Sequence, residues 1–527
     1  MTSNAEMSAR ERILAALQGK PVDHIPFVPL IDTYTVLDMP AHVQQAMQVA
    51  GSEGYWQGMV AATRELGCDI MQRHVYVVKS AGGAPFLGGL GRFAAPVAVS
   101  YRMDESLLVE TLETPLGALT GSWGFTERHG RIPHPVKHLV TNRAELDIFA
   151  YAVEHLILDK REPDFDNFLR AEKVIGDAGI ATTSFLNTPW MGLIEVFWGL
   201  ENSYYLLHDY PEQVEAILAR LHQAQRLVVE RIAESPARVV IEYENTSSTL
   251  LSPGIFRRYC LPLLNEYADI LRAADKIFLV HMCGKLHAFL GDFAPARFHG
   301  LADISPHPTG DVTLDEAAAA LPGKTLVGGI DATTFIEPDL NRVEAEIAAL
   351  LARLKPYPGM LLGSADTAPR GTPVEAFRLI QHLASTVGSY RGRPADAYRP
   401  GEFLTSLNAK TPPPAAAAPA AKSAPEGVDM LAVLQELARR LDGKRPDTTA
   451  VIKFVVTDDK TYRLFIAQGK CRLEISDGPS DASMTAKPAN LLALFTGKLN
   501  PTAAFMTGKI KFGGNLKLLG VLTAAAE

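Results

Sequence analysis

The chain has 527 residues, 47% hydrophobic and 21% charged, the make-up of an ordinary globular protein with enough chain for about two to four domains and a large core. Its net charge of −8 gives no basic footprint, which argues against nucleic acid as a partner. Four cysteines, Cys68, Cys260, Cys283 and Cys471, lack the spacing of a disulfide framework, so a reducing compartment is expected, with thiols left for metal or chemistry. The first twenty residues hold no apolar signal core, and no run approaches the ~18 apolar residues of a membrane span. The expected location is cytoplasmic.

In chain order, a helix is expected over residues 10–18, stopped by Gly19, and a first strand over 21–32, PVDHIPFVPLID. Alternation is clearest further on. Strands are expected at 179–186, 238–244, 276–284, 298–305, 324–331 and 360–366. Helices fall between them at 211–235, 253–274, 286–293, 314–321 and 340–354, with one more from residue 373. Short links between alternating strands and helices predict a parallel sheet, and the repeat and size favour a (β/α)8 barrel over an open doubly wound sheet. No G-x-G-x-x-G follows any of these strands, which speaks against a dinucleotide site. From 408 to 427 the chain reads NAKTPPPAAAAPAAKSAPEG, a semi-extended linker. The expected division is a barrel at 1–405, a linker at 406–427 and a small domain at 428–527.

The strand ends carry the chemistry. KIFLVHMCG (276–284) is a short buried strand whose alternation puts His281 and Cys283 on one side. That is half of a zinc site, or a core histidine beside an inert thiol. Neighbouring strands end in Glu242 and Glu244, Asp303, Asp331 and Asp366. Active sites of barrels gather at that rim, although each carboxylate alone could cap a helix or orient a ligand. The expected assignments are Glu242 and Glu244 as acid/base groups and His281 and Cys283 as metal ligands, with Asp366 as a third ligand only through family resemblance. Asp303, Asp331 and Asn187 are expected to contact substrate.

ERILAALQGKPVDHIPF, LSPGIFRRYCLPLL, GGIDAT, HMCG and PRGTPVEAFRLI together resemble the uroporphyrinogen decarboxylase superfamily, in particular its methylcobamide:coenzyme M methyltransferase branch. That resemblance implies zinc held by a histidine and cysteine in H-x-C and by a second cysteine before the P-x-x-T-P turn. In this sequence Asp366 occupies that last position. It also implies a cobalamin cofactor, expected on a separate corrinoid protein because no D-x-H-x-x-G is present. The R-Q-A-G-R block of true decarboxylases is absent; that stretch reads IPFVPLIDTYTVLDMP, without arginines to pair with substrate carboxylates.

Residues 428–527 show a helix at 430–441, alternating segments that read as antiparallel strands, a helix at 488–496 and GKLNPTAAFMTGKIKFGGN. They resemble the sterol-carrier-protein type 2 domain, which implies a sheet covered by helices around an apolar tunnel. Leu491, Leu492, Leu494, Phe495, Phe505 and Met506 are candidates to line it, or to be plain core. The expected function is a zinc-dependent, corrinoid-linked methyltransferase taking a methoxylated or apolar compound, or a thiol acceptor. The alternatives are a metal-free decarboxylase and a non-catalytic lipid-binding protein. The tail would serve as a carrier of an apolar ligand or contribute to a homodimer.

Overall fold

The computed structural model describes residues 6–33, 35–37, 39–50, 55–79, 86–104, 107–125, 133–390, 399–410, 429–442, 449–457, 459–495 and 510–514. Strands are numbered in chain order; helices are named by their residues.

The body is built on parallel strands. β6 (Gly179–Ala181) pairs with β1 (Ile70–Gln72). β7 (Thr183–Phe185), β8 (Val239–Tyr243), β9 (Ile277–His281), β10 (Gly300–Ile304), β11 (Thr325–Ile330) and β12 (Met360–Ser364) form a six-stranded sheet in that spatial order. Only Thr182 separates β6 from β7, and Phe27 makes a parallel bridge to Leu362 of β12. Among the described residues no ladder joins the Phe27 segment to β1, so the expected closed barrel is seen as an arc. The expected first strand is reduced to isolated bridges at His24 and Phe27, because Pro21, Pro26 and Pro29 have no N–H to donate.

Alternation along these strands separates two cores. Val239 and Ile241, Ile277 and Leu279, Ala302, Val327 and Leu361 pack inward with Val28, Met71 and Ile180. Ile13, Ala16 and Leu17, on the helix Ala9–Leu17, join the same cluster. The intervening residues, among them Val240, Phe278, Val280, Leu326 and Leu362, face the outer helices. Helices Pro211–Ala233 and Leu340–Leu354 follow the sequence pattern closely. The helix expected at 253–274 is interrupted by a π turn, Phe256–Cys260, just before Leu261–Ala273, since Pro262 cannot donate to the preceding turn.

An antiparallel meander, β2 (Ala98–Asp104), β3 (Leu107–Thr114), β4 (Gly117–Gly124) and β5 (His134–Lys137), precedes β6. It was not anticipated from the sequence. Buried Glu110 on β3 anchors it by accepting the backbone N–H groups of Phe86 (2.7 Å) and Leu87 (3.4 Å), and Trp123 on β4 stacks on Phe86. The body continues past residue 405 through a helix, Glu402–Lys410, whose Leu404 is buried.

In the tail, helix Met430–Leu441 covers a sheet with spatial order β15 (Lys470–Ile475), β14 (Thr461–Ala467), β13 (Ala450–Val456), β16 (Ala482–Ala486), β17 (Ile510–Gly514). β13 pairs parallel with β16, not antiparallel as the sequence pattern suggested. The return from the β15 edge brings β16 to the far side of β13, next to its parallel face. Gly514 of β17 also pairs with Met103 of β2, so the tail sheet runs on into the meander.

Leu279 is fully buried at the centre of the inner core. Leu279→Ala is expected to cost about 2–5 kcal/mol, read as a lowered denaturation midpoint for the body.

Candidate functional site

The ends of β7 and β8, the loop after β1 and the segment 189–197 enclose a cavity of about 540 Å3 with a mainly apolar wall. The segment is unusual. Helix Pro189–Gly192 runs directly into a π turn, Leu193–Phe197, which swings Glu195 into the cavity wall. Asn187 Nδ2 (2.8 Å) and Asn245 Nδ2 (3.0 Å) both donate to Glu195 Oε2, leaving Oε1 to carry a proton. Burial raises the Glu195 carboxyl to about 7, even though the two amides favour its charged form.

Behind Asn187 and Asn245 lie Glu242 and Glu244. Glu244 accepts from Thr188 N (2.8 Å) and Thr188 Oγ1 (2.6 Å). The dipeptides 187–188 and 244–245 are thus clamped to each other on one side and offer their two asparagines to Glu195 on the other. Both glutamates are fully buried. Burial and the facing Glu244 push Glu242 well above the carboxylate range, so Glu242 keeps its proton and Glu244, with the Thr188 donors, is the more easily ionised of the two. The expected acid/base pair is therefore placed differently. On β8 Glu242 shares the outward face of Val240, and neither glutamate lines the cavity.

The inward face of the next strand carries His281. Its Nδ1 donates to Asp303 Oδ2, and the same carboxylate takes both ends of the Arg73 guanidinium, with Nη2–Oδ1 at 2.7 Å. All three groups are buried. Burial opposes each charge, yet the ion pairs outweigh it, holding Asp303 at about 2 and His281 at about 10. Tyr243 stands between this triad and the cavity, its ring 4.8 Å from His281 and stacked at 4.5 Å on His74. Burial and then the Arg73 charge lower His74 to about 4, so it is neutral and bonds Ser184 Oγ through Nδ1 at 3.1 Å.

Of the expected ligands, His281 and Cys283 do come together. Cys283 Sγ also lies 4.0 Å from Asn245 Oδ1, and Gly284 follows at φ +93°, a conformation that lets the chain turn away. Asp303 orients His281 as carboxylates orient metal-bound histidines. Asp366, however, is exposed, and its carboxylate accepts the neighbouring Thr367 N–H at 2.7 Å. Among the described residues no three His, Cys, Asp or Glu side chains converge to hold a metal ion. The residues do not fit the expected three-donor zinc set.

Asp303 is committed to Arg73 and His281 rather than free for substrate. Asp331 caps helix Ala332–Phe335 and accepts from both Thr309 and Thr333, so it too is structural. Asn187 does line the cavity. In the tail, Phe495 packs edge-to-face on Phe454 at 5.8 Å within the core, and Leu492 is half-buried. Phe505 and Met506 lie outside the described residues. Sequence reasoning missed Glu195, Arg73, His74 and Tyr243. A lone Glu inside the apolar run MGLIEVFWG was the one available signal.

The uroporphyrinogen decarboxylase (URO-D) family model matches residues 127–387, and the SCP-2 sterol transfer family model matches 432–527. The chain joins a URO-D family domain to an SCP-2 domain. For the SCP-2 domain, Sterol carrier protein 2 of Rattus norvegicus is 32% identical over 106 residues, 18% of this chain and 19% of that protein. The Homo sapiens protein of the same name is 31% identical over 106 residues, with the same shares. The chain spans about a fifth of the length of the curated relatives it matches. A solved methyltransferase from Methanosarcina mazei is 16% identical, with a TM-score of 0.46, covering 72% of this chain and 98% of that one.

The Arg73–Asp303–His281 triad sets a pH window for stability. Asp303, lowered to about 2 from 3.8, stabilises fully above pH 3.8, and that contribution is lost as pH falls through 2. His281, raised to about 10 from 6.5, stabilises fully below pH 6.5, and its contribution is lost as pH rises through 10. The triad therefore contributes most between about pH 4 and 6.5. Asp303→Asn leaves the Arg73 and His281 charges buried without their partner and is expected to cost about 3–5 kcal/mol in urea unfolding, flattening the pH dependence at both ends.

Proposed function

We propose that the URO-D domain is a corrinoid-linked methyltransferase that takes its methyl group from an apolar compound bound in the 540 Å3 cavity, most directly from a methyl ether. The observation that carries this reading is Glu195, an acid poised near neutrality in a mainly apolar wall. Removing a methyl group from an ether breaks the methyl–oxygen bond and leaves the electron pair on oxygen, which then needs a proton. Glu195 Oε1 supplies that proton as general acid, and the two asparagines that hold Oε2 stabilise the carboxylate that remains. The apolar wall orients the ligand body and excludes water. The corrinoid, on a partner protein, would supply the nucleophile that takes the methyl. Zinc has no part in this proposal, because among the described residues no three His, Cys, Asp or Glu side chains converge to hold a metal ion.

A polycarboxylate decarboxylase fits the cavity less well. Eight carboxylates call for several bidentate arginines, whereas Arg161 and Lys79 are the cationic residues along this wall. The SCP-2 domain is read, from its family match, as a carrier that holds an apolar ligand near the body by tethering.

The test is transfer of a labelled methyl group from methoxylated aromatics to reduced cobalamin by the full chain. Glu195→Gln is expected to slow transfer by roughly 100-fold or more. The wild-type rate should fall as pH rises through about 7, where the acid form is lost, and this inflection should vanish in the variant. An unchanged rate in Glu195→Gln contradicts the proposal, as does the absence of transfer from any donor shown to bind.

A further inference from the structure

The cavity does not end at its apolar wall. It adjoins a polar cleft of about 360 Å3, and the two share Lys79, Leu90, Arg161, Ala224 and Val228. Four cations, Lys79, Arg92, Lys160 and Arg161, and two carboxylates, Asp159 and Glu162, line this cleft. Three of the cations already have partners. Lys79 pairs with Glu162, Arg92 with Asp159, and Lys160 with Glu234 at 2.6 Å and Glu230 at 3.5 Å.

Arg161 differs. It is half-buried at the junction of the two spaces, and among the described residues no carboxylate lies within ion-pair distance of it. Nη2 donates to Gly89 O at 2.6 Å, which positions the guanidinium through one of its five N–H groups. A guanidinium recognises a carboxylate through two parallel hydrogen bonds, and a desolvated one without a counter-charge is unfavourable. Burial works against its charge, and Asp159, beyond ion-pair distance, offsets only part of that, as its lowered pKa reflects.

We propose that Arg161 is the anchor for a single carboxylate on the cavity's ligand, so that the substrate class is an apolar monocarboxylate with its body against the apolar wall and its acid group at the cleft. This rests on the reading of the cavity as the substrate site, and it narrows that reading from apolar compounds in general to apolar acids. It also accounts for one unpaired arginine rather than several: the site matches one carboxylate, not a ring of them.

The experiment is calorimetric binding to the full chain, without corrinoid or methyl transfer, so a failed transfer assay leaves its outcome untouched. The probes are 4-methoxybenzoate, its neutral methyl ester, and dodecanoate. Binding of 4-methoxybenzoate or dodecanoate that weakens roughly 10- to 100-fold in Arg161→Met supports the proposal and tells an aromatic acid from a fatty acid. The methyl ester should bind weakly and equally to wild type and Arg161→Met. Arg161→Lys, which keeps the charge but not the fork, should retain part of the preference, and thermal unfolding of both variants checks that they fold. Equal binding of acid and ester to the wild type overturns the proposal, and so does binding of both acids that is indifferent to Arg161 in a folded variant.

Discussion

A strand buried on both faces has to satisfy two packings with one alternating row of side chains, and this constraint decides which way the ionisable groups on the body's strands point. Ile277 and Leu279 belong to the inner core, so His281 on the same strand points inward as well. Val239 and Ile241 do the same on β8, which sends Tyr243 inward and Glu242 outward among the helices. Two adjacent strands thus deliver Tyr243 and His281 side by side, in register across the ladder. The carboxylates that look catalytic in the sequence fall on the opposite face.

Once buried, the charges meet three different ends. Asp303 stays ionised because Arg73 and His281 compensate it directly. Glu242 and Glu244, with no salt-bridge partner among the described residues, settle by keeping a proton, with Thr188 supporting the member that gives its proton up first. Glu195 lies between these extremes: two neutral amides and a partly solvated cavity leave it near its balance point. Of the three, this is the environment suited to moving a proton at neutral pH. The clamp at 187–188 and 244–245 ties the second group to the third, so the outward glutamates contribute to the site by holding the asparagines that hold Glu195.

The sequence made the parallel α/β architecture legible because each strand is a bounded apolar run and each helix an amphipathic one. The helices Leu340–Leu354 and Met430–Leu441 lie where the pattern put them. The meander β2–β5 was not legible, since its outer positions are exposed and its anchoring depends on Glu110 reaching a distant backbone. At the site, His281 and Cys283 are near each other as expected, although Cys283 lies two residues past the end of β9. Positions that depend on the chain's path between elements did not follow. Asp366 lies beyond the end of β12 and turns to its own neighbour Thr367, and Glu195 owes its place to a π turn that has no sequence rule. The outward placement of Glu242 follows the alternation along β8, since Ile241 beside it belongs to the inner face.

The tail sheet is linked to the cavity wall by a chain of contacts. β17 pairs with β2 at Met103, which packs with Trp123 and Phe86, and Phe86 is part of the cavity wall. The most direct test of the account is infrared titration of the full chain, taking wild type minus Glu195→Gln to isolate one carboxyl. A protonated carboxyl band that titrates near pH 7 and is absent from the variant is expected. A Glu195 already ionised at pH 5 would contradict it, leaving the cavity a binding pocket without its acid.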